Sequence, residues 1–325
     1  MDRRQLLQAG AGSLALAACG GAAAQGYPSG PITVILPLQA GSASDVAVRS
    51  FSERMGAVVG APLVVENVTG AAGLIGLERL SKARPDGQTL AALNNSIMTI
   101  LPHLQPGKMK GDMRTDFIPI AGIANIPTFL GVKRGSPLKT VKDVVAFAKA
   151  NPDKLMYSSG GVGSPQHLAT EMFASYSGIK LSHIPYKGAS QAALGLASGE
   201  VDVMMIALSL ALPFLGDGRV ELVGYCGPAR HPQFGDLKTL QEQGVKDYDY
   251  SSWIALFAPK DTPAAVVETL RKQAASVTGD RGLHTQLIRS GMEPWERDAR
   301  QLQRAVEEDH RRWERIVKTA KIQGA

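Results

Sequence analysis

The chain has 325 residues and a formal net charge of +6, with 20% charged and 44% hydrophobic residues, which excludes a disordered or fibrous protein. Aromatics make up only 6% and the basic residues are scattered singly, so no stacking-plus-basic surface for nucleic acid exists. Two cysteines, Cys19 and Cys226, exclude both a disulfide framework and a CxxC metal pair.

In chain order, Asp2-Arg3-Arg4 gives a basic start, and Leu6 to Ala18 is an apolar run too short to span a bilayer. Small residues then crowd toward Ala22-Ala23-Ala24-Gln25. This pattern predicts an export signal over residues 1–25 and places the mature protein in the periplasm. Arg3-Arg4-Gln5-Leu6-Leu7 reads either as a twin-arginine signal or as an ordinary basic start. Leu16-Ala17-Ala18-Cys19 reads as a lipobox that would anchor the chain at Cys19, in competition with a cut after Ala24 or Gln25. About 300 residues follow, enough for two domains of ordinary size. ATP and NAD are scarce outside the cytoplasm, so binding or secreted hydrolysis is favoured and no cofactor is expected.

Ile32-Thr33-Val34-Ile35-Leu36 is a β-branched run suited to a strand covered on both faces. The turn Gly41-Ser42-Ala43-Ser44 leads into a helix beginning near Asp45. A strand at Leu63 to Glu66, the turn Gly70-Ala71-Ala72-Gly73, a helix from Leu74 to Ala83 and a strand at Thr89 to Leu93 complete the first unit. The middle third repeats the alternation. Strands are expected at Phe129 to Val132, Leu155 to Ser158, Val201 to Met205 and Val220 to Val223. Thr140-Val141-Lys142-Asp143 is a capping box, Ser164-Pro165 an N-cap with proline at the first helical position, and Ser190 a further cap before Gly199. Thr262-Pro263 opens an amphipathic helix to Val277, and a charged helix is expected over residues 297–319. Alternating strands and helices predict an α/β fold with a mainly parallel sheet in each of two lobes. Crossing strands are expected near Ile118 to Asn125 and Leu222 to Tyr225. Lobe 1 then comprises 26–122 and 226–325, and lobe 2 comprises 123–225.

Three strand ends run into polar or glycine-rich turns before helices: Gly41, Ser42, Ser44 and Asp45; Asn94, Asn95 and Ser96; and Ser159, Gly163 and Ser164. Ligands of open α/β sheets sit beyond the carboxyl ends of the strands, where helix N-termini hold an anion without lysine or arginine. Asp45 reads as a first-turn charge that shapes its loop or accepts a ligand amine. If the run Met204-Met205-Ile206-Ala207 leaves its strand toward the cleft, Ile206 supplies an apolar wall and a ligand amine lacks a partner. Catalysis is less well supported. Ser159 or Ser164 with His167 would form the core of a triad in a secreted serine hydrolase, but no GxSxG elbow surrounds either serine. The histidines are isolated, with no HExxH, so a metal site is not expected.

The ordered set Pro37-Leu38-Gln39-Ala40-Gly41-Ser42-Ala43-Ser44-Asp45, Gly70 to Gly76, Pro85-Asp86-Gly87, Tyr157 to Gly160 with Gly163-Ser164 and His167-Leu168, His183 to Gly188, Gly199 to Asp202 and Ser251-Ser252-Trp253 resembles the Bug family. These are the extracytoplasmic substrate-binding proteins of tripartite tricarboxylate transporters. The resemblance covers nearly the whole mature chain. It implies a non-enzymatic, two-lobed type II periplasmic binding protein that closes over a small carboxylate and works as a monomer. It also implies membrane permease subunits or a sensor kinase domain as partners. Its loops would match Gly41 to Asp45, Asn94 to Ser96, and Ser159 to Ser164. Leu38 and Ser42 depart from the usual Phe and Gly of the first motif.

Overall fold

The computed structural model describes residues 26–108 and 111–320. The expected export signal, with Cys19, lies outside the described residues.

Two sheets organise the chain. The first comprises β1 (Ile32–Leu36), β2 (Leu63–Asn67), β3 (Thr89–Asn94), β4 (Phe117–Ile126), β10 (Ser252–Pro259) and β11 (Glu293–Pro294), in the order β11-β4-β10-β3-β1-β2. The second comprises β5 (Thr128–Lys133), β6 (Met156–Ser159), β7 (Ser182–Pro185), β8 (Val203–Ala207) and β9 (Val220–Tyr225), in the order β7-β6-β8-β5-β9. Pairing is parallel inside the βαβ units, β1 with β2 and β3, and β6 with β7 and β8. It is antiparallel where strands meet the crossings, β10 against β3 and β4, and β5 against β8 and β9. The mixture follows from the topology: a strand arriving from the other sheet has no crossover helix to reverse it.

The chain leaves the first sheet at Pro127, between β4 and β5, and returns to it after Tyr225. The segment 118–125 is therefore part of a long strand of the first sheet, and the division expected at residue 122 falls inside β4.

Most helices form where their caps predict. Ser42 caps α1 (Ala43–Val59) by accepting from the Asp45 N–H at 3.2 Å, and Gly60 closes it at φ 77°. Following α2 (Leu74–Ser81), α3 (Leu101–Leu104) continues a π-helical turn over Ser96–Ile100. The Thr140–Asp143 capping box opens α4 (Val141–Ala150). Ser164, with Pro165 at the first position, opens α5 (Pro165–Ser177). Next come α6 (Ala189–Ser198), α7 (Leu208–Gly216), α8 (Ala264–Thr278), α9 (Arg281–Arg289) and α10 (Ala299–Ala320). The start of α6 differs from expectation: Gly188 is its N-cap, and Ser190 lies inside the first turn.

Strand alternation splits each lobe into two apolar layers. Ile32, Val34 and Leu36 pack with Phe51 and Met55 of α1 on one face of the first sheet. Ile35, Ala91 and Leu93 pack with Leu77, Leu80, Leu302 and Val306 on the other. In the second sheet, Leu130, Val132 and Met205 face α4 and α5, while Met204 and Ile206 face α6 and α7. Cys226 is a free, fully buried thiol in the first of these layers, 3.5 Å from the Met205 sulfur.

One helix joins the lobes. α10 buries Leu302 and Val306 against the first sheet and Trp313 and Ile316 in the core of the second. Between these ends the Trp253 indole donates to Asp309 at 2.7 Å, and Arg312 pairs with Asp249 at 3.1 Å. Trp313 is 2% exposed, so Trp313→Ala leaves a cavity at this junction. We expect a loss of about 3–5 kcal/mol in urea unfolding. A loss below about 1 kcal/mol would show that α10 does not brace the second lobe.

Candidate ligand site

A cavity of about 70 Å³ lies between the sheets. A larger recess of about 490 Å³ opens at the outer edge of the first lobe, between α2 and the Pro259–Asp261 turn. Its walls come from that lobe alone. The smaller cavity takes walls from both lobes and is the one that the loops surround.

The first wall is the turn before α1. Leu38, Gln39, Ser42, Ala43 and Ser44 line it. Asp45 stands behind them and shapes the turn. Its carboxylate accepts from the Gly41 N–H, Arg49 Nε and Asn67 Nδ2, at 3.0, 3.0 and 2.9 Å. Asn67 also donates to the Leu38 carbonyl at 2.9 Å. Burial disfavours the Asp45 charge, yet these partners together hold its carboxyl below the usual range. Asp45 does not line the cavity, so its role as acceptor for a ligand amine is not supported by its position. The opposite wall is Gly160, Ser164, Pro165 and Gln166 at the start of α5, Gly188 and Ala189 at the start of α6, and Ala207 at the start of α7. Ile126, Thr128 and Ser252, from the strands at the crossings, form the floor.

Of the residues singled out in the sequence, Ser42, Ser44 and Ser164 therefore line the cavity, and the others are not among its lining residues. The Asn95 side chain is fully buried, donating to the Ser251 carbonyl at 2.8 Å and accepting from Ser252 Oγ at 3.2 Å. It ties β3 to β10 and reaches the cavity only through Ser252. Ser96 is buried as the first residue of the π-helical turn. Ile206 points into the layer beneath α6, because alternation sends it with Met204 away from the cleft and only Ala207 emerges at the strand end. Ser159 is fully buried: its hydroxyl meets His183 Nε2 at 2.6 Å and the Gly161 backbone at 3.1 Å. Ser164 Oγ caps α5, and His167 offers Nδ1 to the Gly163 N–H at 3.3 Å. Neither serine is paired with the His167 ring, so the arrangement that the alternative hydrolase reading needs does not form.

Gly41 and Gly163 sit where the lobes touch. The Gly41 carbonyl accepts from Ser190 Oγ of α6 at 2.9 Å. A Cβ on Gly163, at φ 78°, would stand 2.7 Å from the Ala72 Cβ of the opposite lobe. A Cβ on Gly188 would overlap the Gln39 carboxamide. Sequence reading missed Gln39, Gly188, Ala189 and the floor residues. A glycine before a short helix was the available signal for Gly188; the floor depends on the crossing geometry and left none.

The electrostatics are simple. No charged side chain lines the cavity among the described residues. α1, α5 and α6 present their first turns, whose amides lack intrahelical partners and carry the positive end of the helix dipole. α6 has no side-chain cap on its N-terminus. The arrangement can hold an anion through backbone donors and hydroxyls, and it offers a cation no carboxylate.

Two α/β lobes meeting on such a cavity define a solute-binding receptor of the periplasmic type. A family model described as the tripartite tricarboxylate transporter family receptor matches residues 47–322, and the chain belongs to that family. A UPF0065 protein of Bordetella pertussis is 31% identical over 309 residues, 95% of each chain. Among solved structures, R. palustris Rpa4515 with adipate aligns at a TM-score of 0.86 and 30% identity, over 91% of this chain and 99% of that one. The periplasmic binding protein BugD aligns at 0.84 and 29%, over 91% and 99%. MatC from Rhodopseudomonas palustris with bound malate aligns at 0.84 and 26%, over 90% and 100%.

Two expectations follow from this geometry. Gly163→Val forces a branched side chain into a positive-φ position facing Ala72, which props the lobes apart. Ligand affinity should fall at least about tenfold while the circular dichroism spectrum stays native; unchanged affinity in calorimetry would remove this contact from closure. The second concerns pH. Burial pushes His103, His167, His183, His231 and His310 below their ordinary value of 6.5, His167 and His183 to about 4. Above pH 6.5 neither folded nor unfolded chain carries these protons. Below it the unfolded chain takes them up first, so stability falls as pH drops from about 6.5 toward 4. Urea midpoints that rise over that interval would contradict this linkage.

Proposed function

We propose that this protein captures a small carboxylate in the cleft between its lobes, outside the cytoplasm, and closes over it for delivery. The single observation that carries the reading is the meeting of the α1, α5 and α6 N-termini on a cavity without charged side chains. A carboxylate satisfies those amides and needs no counter-ion from a side chain. The adipate and malate held by structural neighbours belong to the same chemical class. No helix among the described residues is long and apolar enough to cross a membrane, and this reading assigns delivery to a separate membrane partner. Permease subunits or a sensor kinase domain that recognises the closed form would fill that role.

Closure supplies the signal. A ligand drives it only by binding the closed state better than the open one. The first-turn amides on both walls provide that difference, because only closure brings them to one carboxylate. Affinity near micromolar corresponds to about −8 kcal/mol.

The same wall disfavours amino acids. Both Asp45 oxygens are occupied and the residue is 4% exposed, so an ammonium would meet helix N-termini and no carboxylate. Calorimetry with succinate and aspartate, which differ by one amine, tests this. We expect succinate to bind at least about tenfold tighter, a difference of about 1.4 kcal/mol. Tighter aspartate would refute the amine exclusion, and no binding by any mono- or dicarboxylate would refute the receptor's ligand class.

A further inference from the structure

The loop from Ser159 to Ser164 joins β6 to α5 and contains three glycines, two of them at positive φ (Gly161 at 110°, Gly163 at 78°). Such a segment is costly to order. Its largest apolar side chain, Val162, is 39% exposed and anchors nothing in the core. Two imidazoles hold it instead. His183, on β7, meets Ser159 Oγ at 2.6 Å at the start of the loop. His167, one turn into α5, accepts from the Gly163 N–H at 3.3 Å at its end.

The two rings belong to one stack. Tyr157 lies 4.7 Å from His183 with an interplanar angle of 11°, and His183 lies 4.6 Å from His167. The Tyr157 hydroxyl donates to Glu171 at 2.6 Å, fixing the stack to α5. Proton placement follows from the contacts. His167 Nδ1 must be unprotonated to accept from Gly163. The Ser159 hydroxyl has one proton, and its contacts are Gly161 O, Gly161 N and His183 Nε2. All three are satisfied together when His183 Nε2–H donates to Ser159 Oγ and Ser159 donates to the Gly161 carbonyl. Burial keeps both imidazoles neutral near pH 7, as this pattern requires of His167.

We propose that His167 and His183 are positioning residues that pre-order this loop, and through it set Gly160, Ser164 and Gln166 against the cavity. Neither histidine lines the cavity, so both act through the loop. The consequence for function rests on the carboxylate-receptor reading; the ordering of the loop does not. A loop ordered before the ligand arrives spares the ligand that cost, and a loosened one lowers the binding-competent fraction and the apparent affinity with it.

The test uses the full chain with His167→Leu, His167→Asn, His183→Leu and His183→Gln. Asparagine can present its amide oxygen near the position of Nδ1, and glutamine its amide near the position of Nε2. All four variants lose the aromatic stack and some thermal stability, so the comparison within each pair isolates the hydrogen bond. Without ligand, amide exchange in the peptide covering residues 158–166 should speed up at least about tenfold in the leucine variants and stay near wild type in the other two. With succinate, malate and adipate as probes, the leucine variants should lose about tenfold in affinity, and His167→Asn and His183→Gln should recover it. Unchanged exchange in the leucine variants overturns the proposal whatever the ligand. Faster exchange with unchanged affinity overturns the link to binding. If no carboxylate binds the wild type, the ligand reading fails, and the exchange data still decide whether the histidines hold the loop.

Discussion

In the proposed carboxylate receptor, backbone donors have to reach one small cavity from both lobes, and the rest of the structure is consistent with that requirement. A lysine or arginine can extend several ångströms to meet an anion. A helix N-terminus cannot, so the backbone itself has to come close. The chain therefore places small residues wherever the lobes meet: Gly41 against Ser190, Gly163 against Ala72, and Gly188 beneath Gln39. Side chains larger than these would hold the amides out of range. The absence of lining charge and the abundance of glycine and alanine are thus two aspects of one design.

That design moves the charged residues one layer outward. Asp45 touches no cavity surface, but its contacts to Gly41, Arg49 and Asn67 fix the first turn, and Asn67 carries the tie on to Leu38. In lobe 2 the corresponding layer is aromatic and neutral, with His183 and His167 beneath the glycine loop. The difference suits the two elements. The first turn is short and is held by a charged residue of its own helix, whereas the second loop is long enough to need supports from β7 and α5.

Much of this was legible in the sequence, for local reasons. The β-branched run of β1, the capping box at Thr140 and the Ser164-Pro165 start each act within a few residues, and each formed where expected. Of the three loops the family resemblance implied, those at Gly41–Asp45 and Ser159–Ser164 contribute residues to the cavity wall, and Asn94–Ser96 does not. What the sequence did not disclose depends on distant contacts. Asn95 and Ser96 look like an exposed polar turn, but β10 covers them after an excursion of more than 150 residues, as the Asn95–Ser251 bond records. Ile206 could not be assigned to a face until the register of β8 against β5 was fixed, and Phe129 opposite Ile206 settles it toward the core. The floor residues Ile126, Thr128 and Ser252 come together only because the strand crossings do.

The crossings also bear on how the lobes move. Closure has to be accommodated by Pro127, by the return after Tyr225, and by α10, which is packed into both cores. A 22-residue helix with Leu302 and Val306 in one lobe and Trp313 and Ile316 in the other does not hinge freely. The Trp253–Asp309 and Arg312–Asp249 contacts lie between these two anchored ends. A small cavity limits what a ligand can contribute. Few backbone hydrogen bonds can decide the state of the whole chain only when its open and closed states differ by little.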